Sequence, residues 1–255
     1  MHYEVYGRGR PVILLHGWLG SWGLWQETMA YLGRFYRTYA LDFWGFGESG
    51  SKRESYAVQD FVSLVDQFMD RLGINSAPLV GHSMGGTVSL SVAMQYPQRV
   101  TKVVVVGSPI VGSSLAWALK MAGRRPIAVL LFNMMWAFRL GMRVASPMIC
   151  HDPRFPEMMD HDLSRTTLES FLLSIASLRR TDLRPRMSQV CVPTMGMYGD
   201  KDVIVHPMQW RPLQEGVPSA RIERFPQAGH FIMLDEPDSF MQKLKDFLDQ
   251  EKIAG

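Results

Sequence analysis

Ser83 lies in the run Gly81-His82-Ser83-Met84-Gly85-Gly86, and a serine with glycines in this spacing suits attack of an activated hydroxyl on a carbonyl carbon. An apolar stretch, 77–80, precedes the run, and a small-residue apolar stretch, 87–94, follows it. Strand, turn and helix in that order describe a nucleophile elbow, where glycines permit close backbone approach around a strained serine. The five letters alone could be a chance glycine turn, and the flanking elements argue against that. A serine at a helix N-terminus also has backbone donors and the helix dipole beside it, which favour developing negative charge.

A hydroxyl is a weak nucleophile; it needs a base, and the base needs an orienting partner. Of the seven histidines, His230 is the candidate base, because Gln227-Ala228-Gly229-His230-Phe231 forms a loop between the strand-like stretch 221–225 and a closing helix. His82 adjoins Ser83, but neighbours on a tight turn point apart, so packing is its expected role. The carboxylate candidates lie in Tyr198-Gly199-Asp200-Lys201-Asp202, after the apolar stretch 193–197. The order serine, aspartate, histidine fits such an elbow, but spacing leaves Asp200 and Asp202 both open. Asp200 beside Lys201 also reads as a solvated loop charge, and Asp235 as a cap on the last helix.

A second glycine-rich turn, His16-Gly17-Trp18-Leu19-Gly20, follows the stretch 11–15. Such a turn can aim a backbone N–H at a substrate oxygen, beside the N–H of Met84, the residue after the serine. His16 reads as an organiser of this turn, and the glycines within 42–49 as backbone punctuation of a tight loop.

His16-Gly17-Trp18, Asp42-x-x-Gly45-x-Gly47-x-Ser49, Gly81-x-Ser83-x-Gly85-Gly86, Gly199-x-x-Asp202 and Gly229-His230 occur in that order. Together they resemble the α/β-hydrolase-fold serine hydrolases, in particular the single-domain carboxylesterase group with a helical cap, over essentially the whole chain. The resemblance implies Asp202 rather than Asp200 as the third member of a triad with Ser83 and His230. It implies Trp18 as the second oxyanion-hole donor with Met84, and cleavage of a small-molecule acyl ester without metal or organic cofactor. It equally accommodates hydrolysis of a carbon–carbon bond in a ring-cleavage diketone by the same three residues, or a ligand-binding module without chemistry. Haloalkane dehalogenases and epoxide hydrolases would carry aspartate where Ser83 stands.

The elements that must position these residues follow from pattern. Apolar runs at 11–15, 38–41, 78–80, 102–106 and 193–197 alternate with amphipathic stretches, which predicts an α/β fold with a mostly parallel central sheet flanked by helices. The stretch 103–106 is four valines, as suits a strand covered on both faces. Between 110 and 187 the alternation stops. Helix-like segments at 115–122, 127–144 and 166–178 follow one another, separated by Arg124-Arg125-Pro126 and by the proline-containing stretch 146–156. The expected organisation is a core from 1–110 and 186–255 with a helical cap inserted at 111–185. A last helix is expected from about 237 to 252, with Asp246, Gln250 and Lys252 exposed.

Composition excludes several function classes. With 27 basic and 24 acidic side chains, the charge is too balanced for a nucleic-acid footprint. The first residues lack a basic region followed by an apolar stretch, so a cytoplasmic protein is expected. Cys150 and Cys191 are expected to be reduced and buried. The most membrane-like stretch, 127–138, contains Asn133 and falls short of the roughly 20 residues a spanning helix needs, so it reads as a buried or interfacial helix with no integral membrane segment.

Within the cap, Met134, Met135, Phe138 and Met142 are candidate pocket residues together with Trp18 and Phe231. Thioethers and aromatic rings make a pliable apolar wall, although ordinary core has the same pattern. Lys120, Arg124, Arg125, Arg139 and Arg143 stand in a stretch without Asp or Glu. They read as a solvated helix face, a dock for an anionic substrate or acidic carrier, or a contact for anionic lipid headgroups.

Overall fold

A computed structural model describes residues 1–51 and 55–250, apart from the side chain of Met135. Seven strands, β1 (Tyr3–Gly7), β2 (Pro11–Leu15), β3 (Arg37–Leu41), β4 (Ala77–His82), β5 (Val100–Val106), β6 (Thr194–Gly199) and β7 (Arg221–Phe225), form one sheet in the order β1-β3-β2-β4-β5-β6-β7. Only β1 runs antiparallel, pairing Tyr3 with Leu41 and Gly7 with Arg37; the remaining pairs are parallel. This is the mostly parallel sheet that the alternation predicts.

Helices α1 (Gln26–Leu32), α2 (Val58–Arg71), α3 (Met84–Gln95), α9 (Trp210–Gly216), α10 (Ile232–Asp235) and α11 (Pro237–Asp249) accompany the sheet. Successive strand residues point to opposite faces, and the core divides accordingly. Ile13, Leu15, Val103 and Val105 pack with Phe61 and Val65 of α2 and Val88 of α3. Val12, Leu14, Val104 and Val106 pack with Met29 and Leu32 of α1 and Phe240 and Leu244 of α11. Helix α3 is buried from Met84 to Met94, which is why its residues are small or apolar. Its two mid-helix serines, Ser89 and Ser91, satisfy their hydroxyls on the carbonyls of Gly85 and Thr87.

Between β5 and β6 five helices run in succession: α4 (Trp117–Ala122), α5 (Arg125–Asn133), α6 (Met135–Ile149), α7 (Phe155–Arg165) and α8 (Leu168–Arg180). An antiparallel bridge between Val111 and Asp182 closes the ends of this excursion.

The stretch 127–144 is not one helix, because the chain turns by 93° between α5 and α6 at Met134, whose φ of −110° and ψ of 35° leave the helical region. Pro147, expected in a separator, lies inside α6. The Arg143 carbonyl that Pro147 cannot satisfy accepts a hydrogen bond from Ser146 Oγ at 2.7 Å instead. Pro156 opens α7 rather than ending a loop, since a missing N–H is harmless in a first turn. Helix α11 stops at Asp249 with Asp246 and Gln250 exposed, and Lys252 lies outside the described residues. Cys150 is buried, its thiol pushed up to about 12 chiefly by desolvation. Cys191 is exposed, because it falls in the connector entering β6 rather than on a strand. Among the described residues, no single helix is long and apolar enough to cross a membrane.

Candidate active site

Four loops leave the carboxyl ends of β2, β4, β6 and β7 on one edge of the sheet, where ligands of open α/β sheets bind. At the end of β4, Ser83 holds φ 51° and ψ −118°, a strained conformation for a residue with a Cβ. The elbow closes because Gly85 has no side chain; a Cβ there would lie 2.3 Å from the Leu15 carbonyl oxygen. The Ser83 N–H donates to the Val106 carbonyl at 2.8 Å, fixing the turn to β5. Leu19, with φ 58°, is the one other non-glycine residue at positive φ among the described residues. It sits in the turn after β2, so both strained positions belong to this edge.

That turn touches the elbow. A Cβ on Gly17 would lie 3.0 Å from the Ser83 Cβ, so glycine is needed for Trp18 to follow so close to the serine. His16 Nε2 accepts from the Phe43 N–H at 2.9 Å, which leaves Nδ1 to donate to the Gly17 carbonyl at 2.7 Å. Burial lowers the His16 pKa and keeps this neutral tautomer. Met84 is the first residue of α3, and its N–H is one of the orphan donors of a helix N-terminus. Behind the turn, Asp42 takes hydrogen bonds from the Trp22 N–H at 2.6 Å, the Glu48 N–H at 2.9 Å and His2 Nδ1 at 2.9 Å. One buried carboxylate thereby ties the N-terminal segment to two loops.

His230 and Asp202 meet. His230 Nδ1 lies 2.7 Å from Asp202 Oδ2, and both side chains are nearly inaccessible. Asp202 Oδ1 accepts from the N–H groups of Ile204 at 2.8 Å and Val205 at 2.9 Å. The carboxylate as acceptor requires the proton on Nδ1, so in the neutral imidazole Nε2 is the acceptor. Asp200 does something else: it forms a bidentate pair with Arg224 at 2.8 and 3.0 Å near the surface. Asp235 does not cap the last helix. It accepts from the N–H groups of Gly229 and His151, both at 2.8 Å, and so braces the histidine loop against the end of the helical insertion.

His82 packs as neighbours on a turn must, away from Ser83. Its ring lies 4.6 Å from that of His230 and 4.9 Å from that of Phe231, and Nε2 donates to the His230 carbonyl at 3.1 Å. Burial first, then the neighbouring His230, drives its pKa well below the usual histidine range, so it is neutral beside the site.

A cavity of about 540 Å³ connects these groups. Ser83, His230, Trp18, Phe231, Phe138 and Met142 line it, but Met134 does not. Met134 is 44% exposed, because the break between α5 and α6 turns it outward. The side chain of Met135 is outside the described residues. Trp117, Ile127 and Met158 also line the cavity, and no motif in the sequence marks them. Trp18 also has an unforeseen tie: its indole N–H donates to the Phe171 carbonyl on α8 at 3.2 Å, with the rings 4.7 Å apart. The turn after β2 is thereby joined to the helices above it. Arginine and lysine are absent from the described lining, and Arg139 is spent on a bidentate pair with Asp160. Among the described residues, no group of three or more His, Cys, Asp or Glu is placed to hold a metal ion.

The carboxyl in this lining belongs to Asp162 of α7. Desolvation raises its pKa to about 6, opposed by the Ser21 hydroxyl and His161, and its Oδ2 has no partner among the described residues. A carboxyl pKa raised by folding contributes stability that is complete below the ordinary value and is lost as pH rises through about 6. Asp162→Asn does not titrate, so the variant should gain on the parent as pH rises, by on the order of 2 kcal/mol across that window. Denaturant unfolding of both proteins at mildly acid and mildly alkaline pH measures the gap, and parallel profiles would refute the assignment.

A family profile described as alpha/beta hydrolase fold matches residues 10–136. The chain is 26% identical to a pimeloyl-(acyl-carrier protein) methyl ester esterase of Vibrio campbellii, over 97% of this chain and 98% of the relative. It is 28% identical to a 2-hydroxy-6-oxo-6-phenylhexa-2,4-dienoate hydrolase of Burkholderia cepacia, over 97% and 91%. An enol-lactonase from Burkholderia xenovorans shares the fold with a TM-score of 0.85 at 22% identity, covering 98% of this chain and 96% of that one. With the elbow, the sheet order and the profile in agreement, the chain has the α/β-hydrolase fold.

Proposed function

We propose that the protein is a carboxylic ester hydrolase working through an acyl-enzyme on Ser83. The observation that carries this is the 2.7 Å bond from His230 to Asp202 at a cavity shared with a serine held at positive φ. Asp202 fixes the Nδ1–H tautomer, and Nε2 takes the serine proton as Oγ attacks the ester carbonyl. The N–H groups of Trp18 and Met84 hold the tetrahedral oxyanion. His230 then protonates the departing alcohol and activates the water that releases the acid. Residues 111–185 act as the cap that walls the acyl group.

The diketone reading keeps the same three residues, and the similarity to a 2-hydroxy-6-oxo-6-phenylhexa-2,4-dienoate hydrolase favours it. A ring-cleavage dienol carries a carboxylate, which calls for a cation in the pocket. The described lining offers none; a neutral ester with an apolar acyl group fits it better. The same lack speaks against an anionic substrate bound inside through the cap arginines. Steady-state turnover of p-nitrophenyl esters of increasing chain length, beside a thioester and a ring-cleavage diketone, decides between them. Esters should lead, with kcat/KM rising as the acyl chain fills the cavity, and a diketone turned over faster than every ester would replace this reading.

A further inference from the structure

We propose that the outer face of α6 docks the protein on an anionic lipid surface. Helix α6 is apolar on two sides. Phe138, Met142, Ala145 and Ile149 face the cavity, as a cap helix requires. Trp136, Leu140, Val144 and Met148, at spacing i, i+4, i+8 and i+12, point the other way and are 57–74% exposed. A helix on a water-facing surface would carry polar residues there, and contiguous exposed apolar side chains mark an interaction face. Fourteen large apolar side chains are exposed among the described residues, and seven of them fall between Trp117 and Met148.

Charge selects the occupant. No Asp or Glu occurs between Leu115 and Cys150. Arg124 and Arg125 are exposed without an ion pair among the described residues, and Arg143 is exposed beside the stripe, on the side of α6 that meets α7, in the field of Asp160. A tryptophan-bearing apolar stripe with arginines beside it is the pattern of a helix lying in a membrane interface. An acidic protein would answer the arginines but leave the stripe in water. A second copy seated stripe against stripe would bury the apolar residues but bring the arginines no carboxylate, since 115–150 contains none. The 93° turn between α5 and α6 fits a pair lying on the surface rather than crossing it. Trp117 is 73% exposed and also lines the cavity, so the cavity opens beside this region and a bilayer-dissolved ligand could enter from the lipid.

The test uses the full chain carrying Ser83→Ala, so that lipid turnover does not complicate it and the outcome does not depend on the proposed reaction. Co-sedimentation is measured with vesicles of phosphatidylcholine alone and with phosphatidylglycerol added. The protein should pellet with the anionic vesicles and release with salt. Trp136→Gln with Leu140→Gln, and separately the triple change Arg124→Gln, Arg125→Gln and Arg143→Gln, should each weaken partitioning by about tenfold or more. Both sets should keep the far-UV circular dichroism and the cooperative thermal unfolding of the Ser83→Ala parent, which shows that they fold; the arginine set leaves the apolar stripe intact should the first set misfold. The proposal is overturned by failure to bind anionic vesicles, or by binding that both sets leave unchanged. It is equally overturned by a dimer in solution that Trp136→Gln converts to monomer.

Discussion

Ser83→Ala should lower turnover of a short p-nitrophenyl ester by about four orders of magnitude or more, and should abolish labelling by a fluorophosphonate. The size of the loss follows from what remains. In the proposed mechanism the N–H groups of Trp18 and Met84 would still polarise a bound carbonyl, but His230 Nε2 would have only water to activate. His230→Ala should cost nearly as much, and the double variant little more than either alone, because nucleophile and base act as one unit. A companion measurement separates function from fold. Ser83 sits at φ 51°, where a side chain is strained, so Ser83→Gly should be more stable than the parent by about 1 kcal/mol while equally inactive. Labelling retained in Ser83→Ala would move the nucleophile elsewhere and end the acyl-enzyme proposal.

What was legible in the sequence is what local chemistry dictates. The sheet could be read because Val103 to Val106 and their counterparts must be covered on both faces, and they are. The strained turn could be read because Gly81, Ser83 and Gly85 stand at fixed offsets between a strand and a helix. The insertion was less legible, since its elements end for reasons a neighbour supplies. Pro147 reads as a breaker until Ser146 is seen to satisfy the carbonyl it abandons. Helix α7 is hidden by a proline that starts it. Asp162 belongs to no motif: burial dominates its environment, and of the two groups that oppose it Ser21 comes from across the chain, while His161 is its neighbour. Trp18 likewise looked like a turn residue and pocket wall, while its indole reaches Phe171, 153 residues away. Contacts of that range are set by how the inserted helices come down on the sheet, which no spacing encodes.

The same limit applied to the two aspartates, which lie two residues apart in one loop. Spacing could not choose between them, and the family likeness chose Asp202. Their surroundings now predict opposite results for one conservative change. In Asp202→Asn, the N–H groups of Ile204 and Val205 still need the acceptor that Oδ1 provides at 2.8 and 2.9 Å. The amide oxygen therefore stays on that side, and the NH₂ group turns toward His230 Nδ1. A donor facing Nδ1 forces the imidazole proton onto Nε2, the atom that must accept from Ser83. The expected loss is about 10³- to 10⁴-fold in kcat, as for other triads given the wrong tautomer. KM should change little, because Asp202 is not part of the lining of the cavity at Ser83. Asp200→Asn loses only the near-surface pair with Arg224, a change within about twofold in kcat and under about 1 kcal/mol in stability. If Asp200→Asn carried the large loss and Asp202→Asn the small one, the orientation of His230 would have to come from another loop conformation, and the proposed triad would fail with it.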